Sequence, residues 1–266
     1  MILIVGGAGY IGFDLPLKGA TILDISGRRS HTVLGRGKRF LVGSVSDMPG
    51  KKELLADFDT IINLTGGLDD ANVSGLGLSA MTQSCSNLSI RDACPDARIV
   101  HVSTQFVYST PDMNKERSKT NPQCDYGVVQ SMAETALEND DNSVVLRFGT
   151  VWGKGTFTRY DTWGNHLFKA MEEKKYIDVY NPKCMVGMLS LHNAHRAILW
   201  AMTAEPGVYN VADWVGIKED IVKATLKEYL YTNRPITQGF SIGMDCNRIQ
   251  RKGFEFEPYE LGFEND

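Results

Sequence analysis

The first twelve residues constrain the fold of this chain more than any other stretch. Residues 2–5 are a short aliphatic run, which predicts a buried β-strand. Gly6, Gly9 and Gly12 follow at intervals of three residues. Glycine permits a sharp turn and lets backbone N–H groups approach a ligand closely. A strand, a glycine turn and a helix start predict a site for a dinucleotide pyrophosphate.

The next strand adds a cofactor preference and an irregularity. Only residues 13–20 separate the glycine turn from the strand at 21–24, and Pro16 lies among them. A crossover helix normally needs about ten residues or more, so the first helix is predicted to be about one turn long. Asp24 ends the second strand, where a carboxylate binds both ribose hydroxyls of NAD. Arg28 and Arg29 leave open a 2′-phosphate and NADP.

Further strands are predicted at residues 40–47, 59–67 and 97–103, with a long helix between about 70 and 94. Strands that alternate with helices predict an α/β fold of the Rossmann type, a doubly wound parallel sheet with helices on both faces. Ligands of such sheets bind at the carboxyl ends of the strands. Gly6, Asn63, Ser103 and Thr104 are all predicted at those ends.

Composition excludes several classes of function. The net charge is −4 and the sequence has no basic stripe, which disfavours nucleic-acid binding. No apolar run approaches transmembrane length. Five cysteines without C-x-x-C spacing predict reduced thiols in a cytoplasmic protein. His192 and His195 lie three residues apart, but without a cysteine or carboxylate cluster no metal site is predicted; Asn193 is predicted to cap their helix.

A set of motifs carries a more specific resemblance. In order, the motifs are GGAGYIG at 6–12, GSVSD at 43–47, NLTGG at 63–67, VSTQFVY at 102–108, YGVVQ at 126–130, LRFGTVWG at 146–153, LSLHNAHRA at 189–197 and GVYN at 207–210. The chain resembles an extended short-chain dehydrogenase/reductase of the NAD-dependent nucleotide-sugar epimerase/dehydratase family, similar to UDP-glucose 4-epimerases. The resemblance implies hydride transfer at a sugar carbon, with NAD as cofactor and a nucleotide sugar as substrate.

The resemblance also implies roles for individual residues. Tyr126 is the expected acid/base, Thr104 holds the sugar oxygen, and Gln130 occupies the position of the family's catalytic lysine. The residues expected to bind the cofactor are Gly6, Gly9, Tyr10, Ile11, Gly12, Asp24, Ser46, Asp47, Asn63, Leu64, Thr65, Gly66, Ser103, Tyr126 and Gln130. Those expected to bind the substrate are Thr104, Gln105, Phe106, Tyr126, Thr150 and Lys183.

Several family positions are altered. A lysine at position 130 would favour the Tyr126 phenolate by up to about 4 kcal/mol, near three pK units, and Gln130 supplies no such charge. A slowed enzyme is therefore expected, with Lys115 or Lys119 as a less favoured source of charge. Thr150 replaces an asparagine. Val186 stands where an arginine grips the diphosphate, and Lys183 is the nearest cation.

The residues after Thr104 separate the possible reactions. Dehydratases of the family carry Asp-Glu there, whereas this chain has Gln105 and Phe106, neither of which transfers protons. Dehydration is therefore disfavoured, which leaves epimerisation, keto-sugar reduction or oxidative decarboxylation. Epimerisation is the first hypothesis. A 4-keto-sugar reductase using NAD(P)H is one alternative. An impaired NAD(H)-binding or sensor protein is another.

The expected NAD-binding domain comprises residues 1–148, completed by 184–204. The substrate lobe is expected at 149–183 and 205–266. The resemblance further implies a homodimer that pairs through helices at 73–93 and 123–138.

Overall fold

In the computed structural model, the described residues are 1–66, 78–173, 177, 179–225 and 240–258. Within them, a seven-stranded sheet has the order β10-β7-β5-β4-β1-β2-β3, and all of its strands are parallel. The strands of the chain are β1 (Ile2–Val5), β2 (Thr21–Asp24), β3 (Arg39–Val42), β4 (Thr60–Asn63), β5 (Arg98–Thr104), β6 (Met113–Asn114), β7 (Ser143–Phe148), β8 (Thr150–Trp152), β9 (Met185–Ser190), β10 (Gly207–Val211), β11 (Trp214–Ile217) and β12 (Gly243–Met244).

Helices cover both faces of this sheet. The helices of the described part of the chain are α1 (Tyr10–Phe13), α2 (Ser30–Leu34), α3 (Lys52–Leu55), α4 (Leu78–Ser84), α5 (Ser86–Ala93), α6 (Asp125–Thr135), α7 (Trp163–Glu172), α8 (Leu191–Ala201), α9 (Lys218–Thr225) and α10 (Asn247–Arg251). Of these, α7 packs on β8 and α9 on β11, away from the seven-stranded sheet. One apolar cluster joins the sheet to α8 and α10, and a second joins the opposite face to α3 and α5. Burial on both faces is what keeps the parallel strands almost wholly apolar. The predicted α/β Rossmann-type fold is confirmed.

The shortened first crossover is stabilised by side chains from elsewhere in the chain. Helix α1 has only four residues, as the sequence predicts. The buried Lys38 ammonium donates to the carbonyls of Phe13 at 2.9 Å and Leu15 at 2.8 Å. A ring nitrogen of His195 lies 2.8 Å from the Ile11 carbonyl oxygen. These contacts satisfy carbonyl groups that a longer helix would bond internally.

The small lobe divides the chain differently from the expected domain boundaries. Strand β10, expected in the substrate lobe, pairs with β7 in the main sheet. Strand β9, expected to return to that sheet, instead lies between β8 and β11 in a three-stranded sheet. Strand β10 belongs to the main sheet because Tyr209 and Val211 are fully buried against α8 and the central strands.

The expected cap of α8 is wrong. The helix begins at Leu191, and the Ser190 hydroxyl accepts from the Asn193 N–H at 3.2 Å, so Ser190 is the N-cap. The Asn193 side chain is buried and donates to Asp213 and to the Glu257 carbonyl, both at 2.9 Å. Asn193 therefore ties the helix start to two other segments.

Other local predictions fare unevenly. The helix predicted near 70–94 is interrupted at Cys85, and its first residues, through 77, lie outside the described part of the chain. The sequence also predicts a helix over 218–229, and its described part is α9, Lys218–Thr225. The sequence also predicts a strand over 177–180, but the described residues 177, 179 and 180 form none. All five cysteines are free. No helix in the described ranges is long and apolar enough to cross a membrane.

Candidate functional site

The carboxyl ends of β1, β4 and β5 meet at one edge of the sheet, because these strands are neighbours in register. The glycine turn follows β1 and the loop 64–66 follows β4, whereas Thr104 is the last residue of β5. The first turn of α6 packs on the same edge. A cleft at the carboxyl ends is where open parallel sheets bind ligands.

The glycine turn has the geometry of a cradle. Gly6 has a φ of +72°, which favours glycine. A Cβ at Gly12 would lie 2.6 Å from Gly7 Cα, so the turn and the helix start touch. A Cβ at Gly9 would meet only the Gly6 carbonyl, at 3.5 Å. The space beside Gly9 is therefore open, as a pyrophosphate site at a helix start requires.

Tyr10 and Ile11 have side chains engaged away from the cradle. The Tyr10 hydroxyl donates to the Gly153 carbonyl at 2.6 Å. Ile11 packs against the core on the α8 side of the sheet. Their expected part in cofactor binding remains a prediction, and it concerns the backbone N–H groups at the start of α1.

Asp24 is positioned beside the turn, as expected. One carboxylate oxygen accepts from the Ala8 N–H and the other from the Ser26 N–H, both at 3.1 Å. A carboxylate has about four acceptor positions, so two remain for ribose hydroxyls. The Arg29 guanidinium donates to the Ala8 carbonyl and stacks 3.8 Å above the Phe157 ring. These contacts withdraw Arg29 from the role of a 2′-phosphate receptor.

Ser46 and Asp47 lie in the first turn of the 3-10 helix 45–51, whose N-cap is Ser44. The Asp47 carboxylate accepts from the Ser44 N–H at 3.1 Å, and the Ser44 hydroxyl accepts from the Ser46 N–H at 3.3 Å. Both side chains are exposed at the rim of the sheet, two strands from the glycine turn. Their expected contact with the cofactor remains a prediction.

Asn63 holds the loop after β4 rather than facing the cleft. Its side chain is fully buried, and its amide donates to the Ser86 hydroxyl at 3.0 Å and to Asn87 at 2.7 Å. Its oxygen accepts from the N–H of Thr65 at 3.1 Å and from the Thr65 hydroxyl at 2.7 Å. Leu64, Thr65 and Gly66 are therefore placed by Asn63, and the backbone of that loop is what faces the cradle.

Tyr126 and Gln130 converge on Gly66. They lie one turn apart on α6, which places them on the same face of the helix. The Gln130 amide donates to the Thr65 carbonyl at 3.2 Å. A Cβ at Gly66 would lie 2.5 Å from Gln130 Nε2 and 3.6 Å from Tyr126 Oη. Glycine at position 66 thus admits both side chains to the cofactor side of the sheet.

Thr104 and the start of α6 form the other side of the cleft. The Thr104 hydroxyl accepts from the Phe106 N–H at 3.3 Å, and no acceptor for its own proton is found among the described residues. A Cβ at Gly127 would lie 2.2 Å from the Phe106 carbonyl oxygen. Gly127 therefore lets the helix that carries Tyr126 pack directly on the segment after Thr104. Sequence reasoning gave Gly127 no role.

Gln105 and Phe106 lie on opposite sides of this segment. Gln105 is 1% exposed, and its amide donates to Thr150 at 3.0 Å and to the Gly187 carbonyl at 3.1 Å. Its oxygen accepts from the Gly187 N–H at 2.9 Å. The Phe106 ring makes edge contacts with Tyr126 at 6.3 Å and with Phe240 at 5.8 Å. Gln105 and Thr150 thus join the main sheet to the small lobe, whereas Phe106 forms an apolar wall beside Tyr126.

The remaining candidates are placed apart from this convergence. Lys183 is exposed and pairs with Glu219 at 2.5 Å, and Lys223 pairs with the same carboxylate at 2.7 Å. His192 pairs with Glu257, whereas His195 contacts Ile11, so these two rings do not face a common point. In the described part of the chain, no group of three metal-binding side chains occurs.

A buried polar layer under α6 was missed from the sequence. Arg147 is bonded to the Glu134 carboxylate by its Nη2 at 2.6 Å and its Nε at 3.0 Å, and Ser103 donates to the same carboxylate at 2.5 Å. Arg147 also donates to the Tyr108 hydroxyl, at 2.7 Å, and burial raises the pKa of Tyr108 to about 12. His101 lies on the same face of β5 as Ser103, and burial lowers the pKa of its imidazole to about 4. An arginine inside the otherwise apolar strand β7 was the available signal.

The parallel sheet has a glycine turn after β1, the loop 64–66 packed beside that turn, and Tyr126 at Gly66. This arrangement defines an α/β protein of the dinucleotide-binding class. The model of the NAD dependent epimerase/dehydratase family matches residues 2–212. The chain belongs to this family, and the resemblance seen in the sequence is confirmed. NAD dependence is part of the family's definition, so the expected cofactor is confirmed at that level. A search of curated proteins finds no match.

Solved structures share the fold at low sequence identity. UDP-glucose 4-epimerase of Thermus thermophilus, in complex with NAD, is 16% identical with a TM-score of 0.78, over 96% of this chain and 93% of that one. dTDP-glucose 4,6-dehydratase of Streptomyces venezuelae is 17% identical with a TM-score of 0.77, over 97% of this chain and 92% of that one. ADP-L-glycero-D-manno-heptose-6-epimerase of Helicobacter pylori is 19% identical with a TM-score of 0.78, over 94% of this chain and 89% of that one. These similarities show the fold.

Proposed function

We propose that this protein is an NAD-dependent nucleotide-sugar epimerase in which Tyr126 is the acid/base and Thr104 anchors the sugar oxygen. The observation that carries the proposal is the convergence of the Tyr126 hydroxyl and the Gln130 amide on Gly66. That point adjoins the glycine turn, whose geometry fits a dinucleotide. The solved relatives named above act on nucleotide sugars, which supports this substrate class.

The cofactor is held in this proposal by the glycine turn, the loop 64–66 and Asp24. When bound, NAD supplies the acceptor for a hydride from the sugar carbon. Asp24 has free acceptor positions for ribose hydroxyls, and Arg29 is committed to Phe157 and Ala8. Both observations support NAD over NADP. Asp24→Ala is expected to weaken NAD binding measured by calorimetry and to leave any NADP binding little changed.

Tyr126 moves the proton of the reacting sugar hydroxyl. The Thr104 hydroxyl proton is available to bond the same oxygen, and Phe106 excludes water from one side of Tyr126. In this proposal the Gln130 amide donates to the nicotinamide ribose. A neutral amide gives the phenolate no charge, so the proposed enzyme is slower than one with lysine at position 130.

Dehydration is disfavoured by the geometry after Thr104. A 4,6-elimination needs an acid and a base beside the sugar. Gln105 has its amide bonded across to Thr150 and Gly187, and the Phe106 ring carries no exchangeable proton. The epimerase proposal therefore needs only the groups at Tyr126 and Thr104.

A 4-keto-sugar reductase is the second candidate, and the neutral Gln130 favours it. Reduction starts from a protonated tyrosine, which requires no cation to stabilise a phenolate. A reductase oxidises NAD(P)H once for each product molecule, whereas an epimerase leaves the cofactor pool unchanged. The amount of sugar product is therefore compared with the decrease in NAD(P)H absorbance. Equal amounts indicate a reductase, and product without a decrease indicates an epimerase.

The test is turnover of a panel of UDP-, dTDP- and ADP-sugars and their 4-keto forms. Tyr126→Phe is expected to lower the rate by about 10²–10⁴-fold and Thr104→Val by about 10²-fold. Tyr160→Phe is the matched control, because Tyr160 is exposed on the small lobe. NAD binding without turnover of any sugar would refute an enzyme and leave a sensor protein. Gln130→Lys is expected to raise the oxidation rate; an unchanged rate would mean that this position does not limit catalysis.

Lys183 is proposed to contact the substrate diphosphate as a point charge. That contact requires Lys183 to exchange its bond with Glu219. Lys183→Ala is expected to raise the KM for a nucleotide sugar without changing kcat. Lys223→Ala is the matched control, because Lys223 pairs with the same carboxylate. Equal effects of the two variants would argue against a diphosphate contact.

A homodimer through α4, α5 and α6 is also proposed. Met81, Leu88 and Met132 are 61%, 56% and 54% exposed on these packed helices, and this apolar surface supports pairing with a second copy. Light scattering after size exclusion is expected to give twice the monomer mass. Met132→Glu is expected to yield the monomer, whereas Met113→Glu, on β6 and 52% exposed, should not.

A further inference from the structure

Helix α6 presents three polar side chains to the sheet at intervals of one turn. Tyr126, Gln130 and Glu134 lie at i, i+4 and i+8, on one face of the helix. Opposite them, His101 and Ser103 share a face of β5, since they are two residues apart on a strand. Ser103 bonds Glu134, so the His101 ring lies beside the preceding turn of the helix, at Gln130.

Three polar atoms in this region have no hydrogen-bond partner among the described residues. They are the Gln130 oxygen and both ring nitrogens of His101. The two side chains are 1% and 0% exposed, so water does not satisfy them. Unpaired buried polar atoms are rare in folded proteins.

The needs of the two side chains are complementary. A neutral imidazole carries one N–H donor, and the Gln130 oxygen is an acceptor. Gln130 already uses its amide nitrogen to donate to Thr65 and to reach Gly66. A bond from the ring N–H to the Gln130 oxygen would satisfy one donor and one acceptor together. Burial keeps His101 neutral, which preserves that single donor.

We propose that His101 is a positioning residue of the cofactor site, whose ring N–H bonds the Gln130 oxygen and thereby fixes the direction of the Gln130 amide nitrogen. A lysine has no acceptor to be held in this way, so the pair is specific to a chain with glutamine at position 130. For cofactor binding the inference rests on family membership. Only its effect on turnover rests on the proposed function.

The experiment is calorimetric titration of the purified protein with NAD. His101→Leu is expected to raise the Kd about three- to tenfold, the effect of one neutral hydrogen bond. Asparagine places a donor near the position of ring Nδ1 and glutamine near Nε2. One of His101→Asn and His101→Gln is therefore expected to keep the Kd within about twofold of the original value. Ile99→Val is the packing control, because Ile99 is fully buried on the same face of β5.

A double-mutant cycle separates positioning from packing. His101→Leu is expected to add no further loss of affinity to Gln130→Ala, because the group that it positions is already gone. Additive losses would overturn the proposal, and so would donor variants that bind no better than His101→Leu. Histidine side-chain ¹⁵N spectra give an independent readout: one protected ring N–H that disappears in Gln130→Leu is expected. NAD affinity does not depend on sugar turnover, so failure here leaves the proposed reaction standing.

Discussion

The buried ion pair between Glu134 and Arg147 tests how the helix that carries Tyr126 is held. The two side chains are 9% and 6% exposed. We expect Arg147→Met to lower the free energy of unfolding by about 3–5 kcal/mol, because it leaves the Glu134 carboxylate buried without a cation. The Glu116 carbonyl, which accepts from Arg147 at 3.0 Å, also loses its donor.

Urea unfolding and thermal melts measure the loss. In a chain of this size 1 kcal/mol corresponds to about 2–4 °C, so the melting temperature is expected to fall by about 6–20 °C. Lys52→Met is the matched control. Lys52 and Asp92 are 2.8 Å apart but 53% and 55% exposed. Their pair is expected to contribute less than about 1 kcal/mol.

A second substitution isolates the cause. Adding Glu134→Leu to Arg147→Met removes the stranded charge, so the double variant is expected to recover most of the lost stability. Equal losses for Arg147→Met and Lys52→Met would refute the reasoning. A double variant that loses the sum of the two single effects would refute it as well.

Three further predictions follow from the buried groups and close contacts. Because burial lowers the pKa of His101 to about 4, from 6.5, the unfolded chain binds the extra proton between these values, and stability falls as the pH decreases through that window. When the pH is lowered from 7.5 to 5, the free energy of unfolding measured in urea is expected to fall by about 2 kcal/mol more in the unsubstituted protein than in His101→Leu. An equal decrease in the two proteins would contradict this. Gly127→Ala is expected to lower the free energy of unfolding by about 1–3 kcal/mol, because its Cβ would lie 2.2 Å from the Phe106 carbonyl oxygen. Gly50→Ala is the control, since a Cβ there meets nothing within 4 Å. Equal melting temperatures for the two variants would argue against the close approach. Lys38→Met is expected to cost about 1–3 kcal/mol by leaving the Phe13 and Leu15 carbonyls without donors, against little change for the exposed Lys154→Met.

The features predicted correctly depend on neighbours in sequence. The glycine turn, the one-turn first helix and the parallel sheet all follow from local spacing, because strand and helix periods are local properties. The position of β10 depends instead on pairing with a strand more than fifty residues away. The same holds for the cap of α8. The residue type of Asn193 predicts a cap, but its side chain bonds Asp213 and the Glu257 carbonyl, which are distant in the sequence.

The candidate site divides along the same line. Residue types at motif positions were predictable, but the partners of their side chains were not. Asn63 turned inward because Ser86 and Asn87 lie beneath it, and Gln105 turned toward Gly187, 82 residues away. No periodicity in the sequence indicates such partners.

The contact between Tyr10 and Gly153 gives the protein an optical reporter of its own. Gly153 follows Trp152 in the chain, and its N–H donates at 2.9 Å to Asn165, in the first turn of the helix that Trp163 begins. The turn that is expected to receive the cofactor is thus bonded to the backbone between two indole rings. We expect tryptophan emission to shift when a dinucleotide binds, and Tyr10→Phe to uncouple that signal from binding measured by calorimetry.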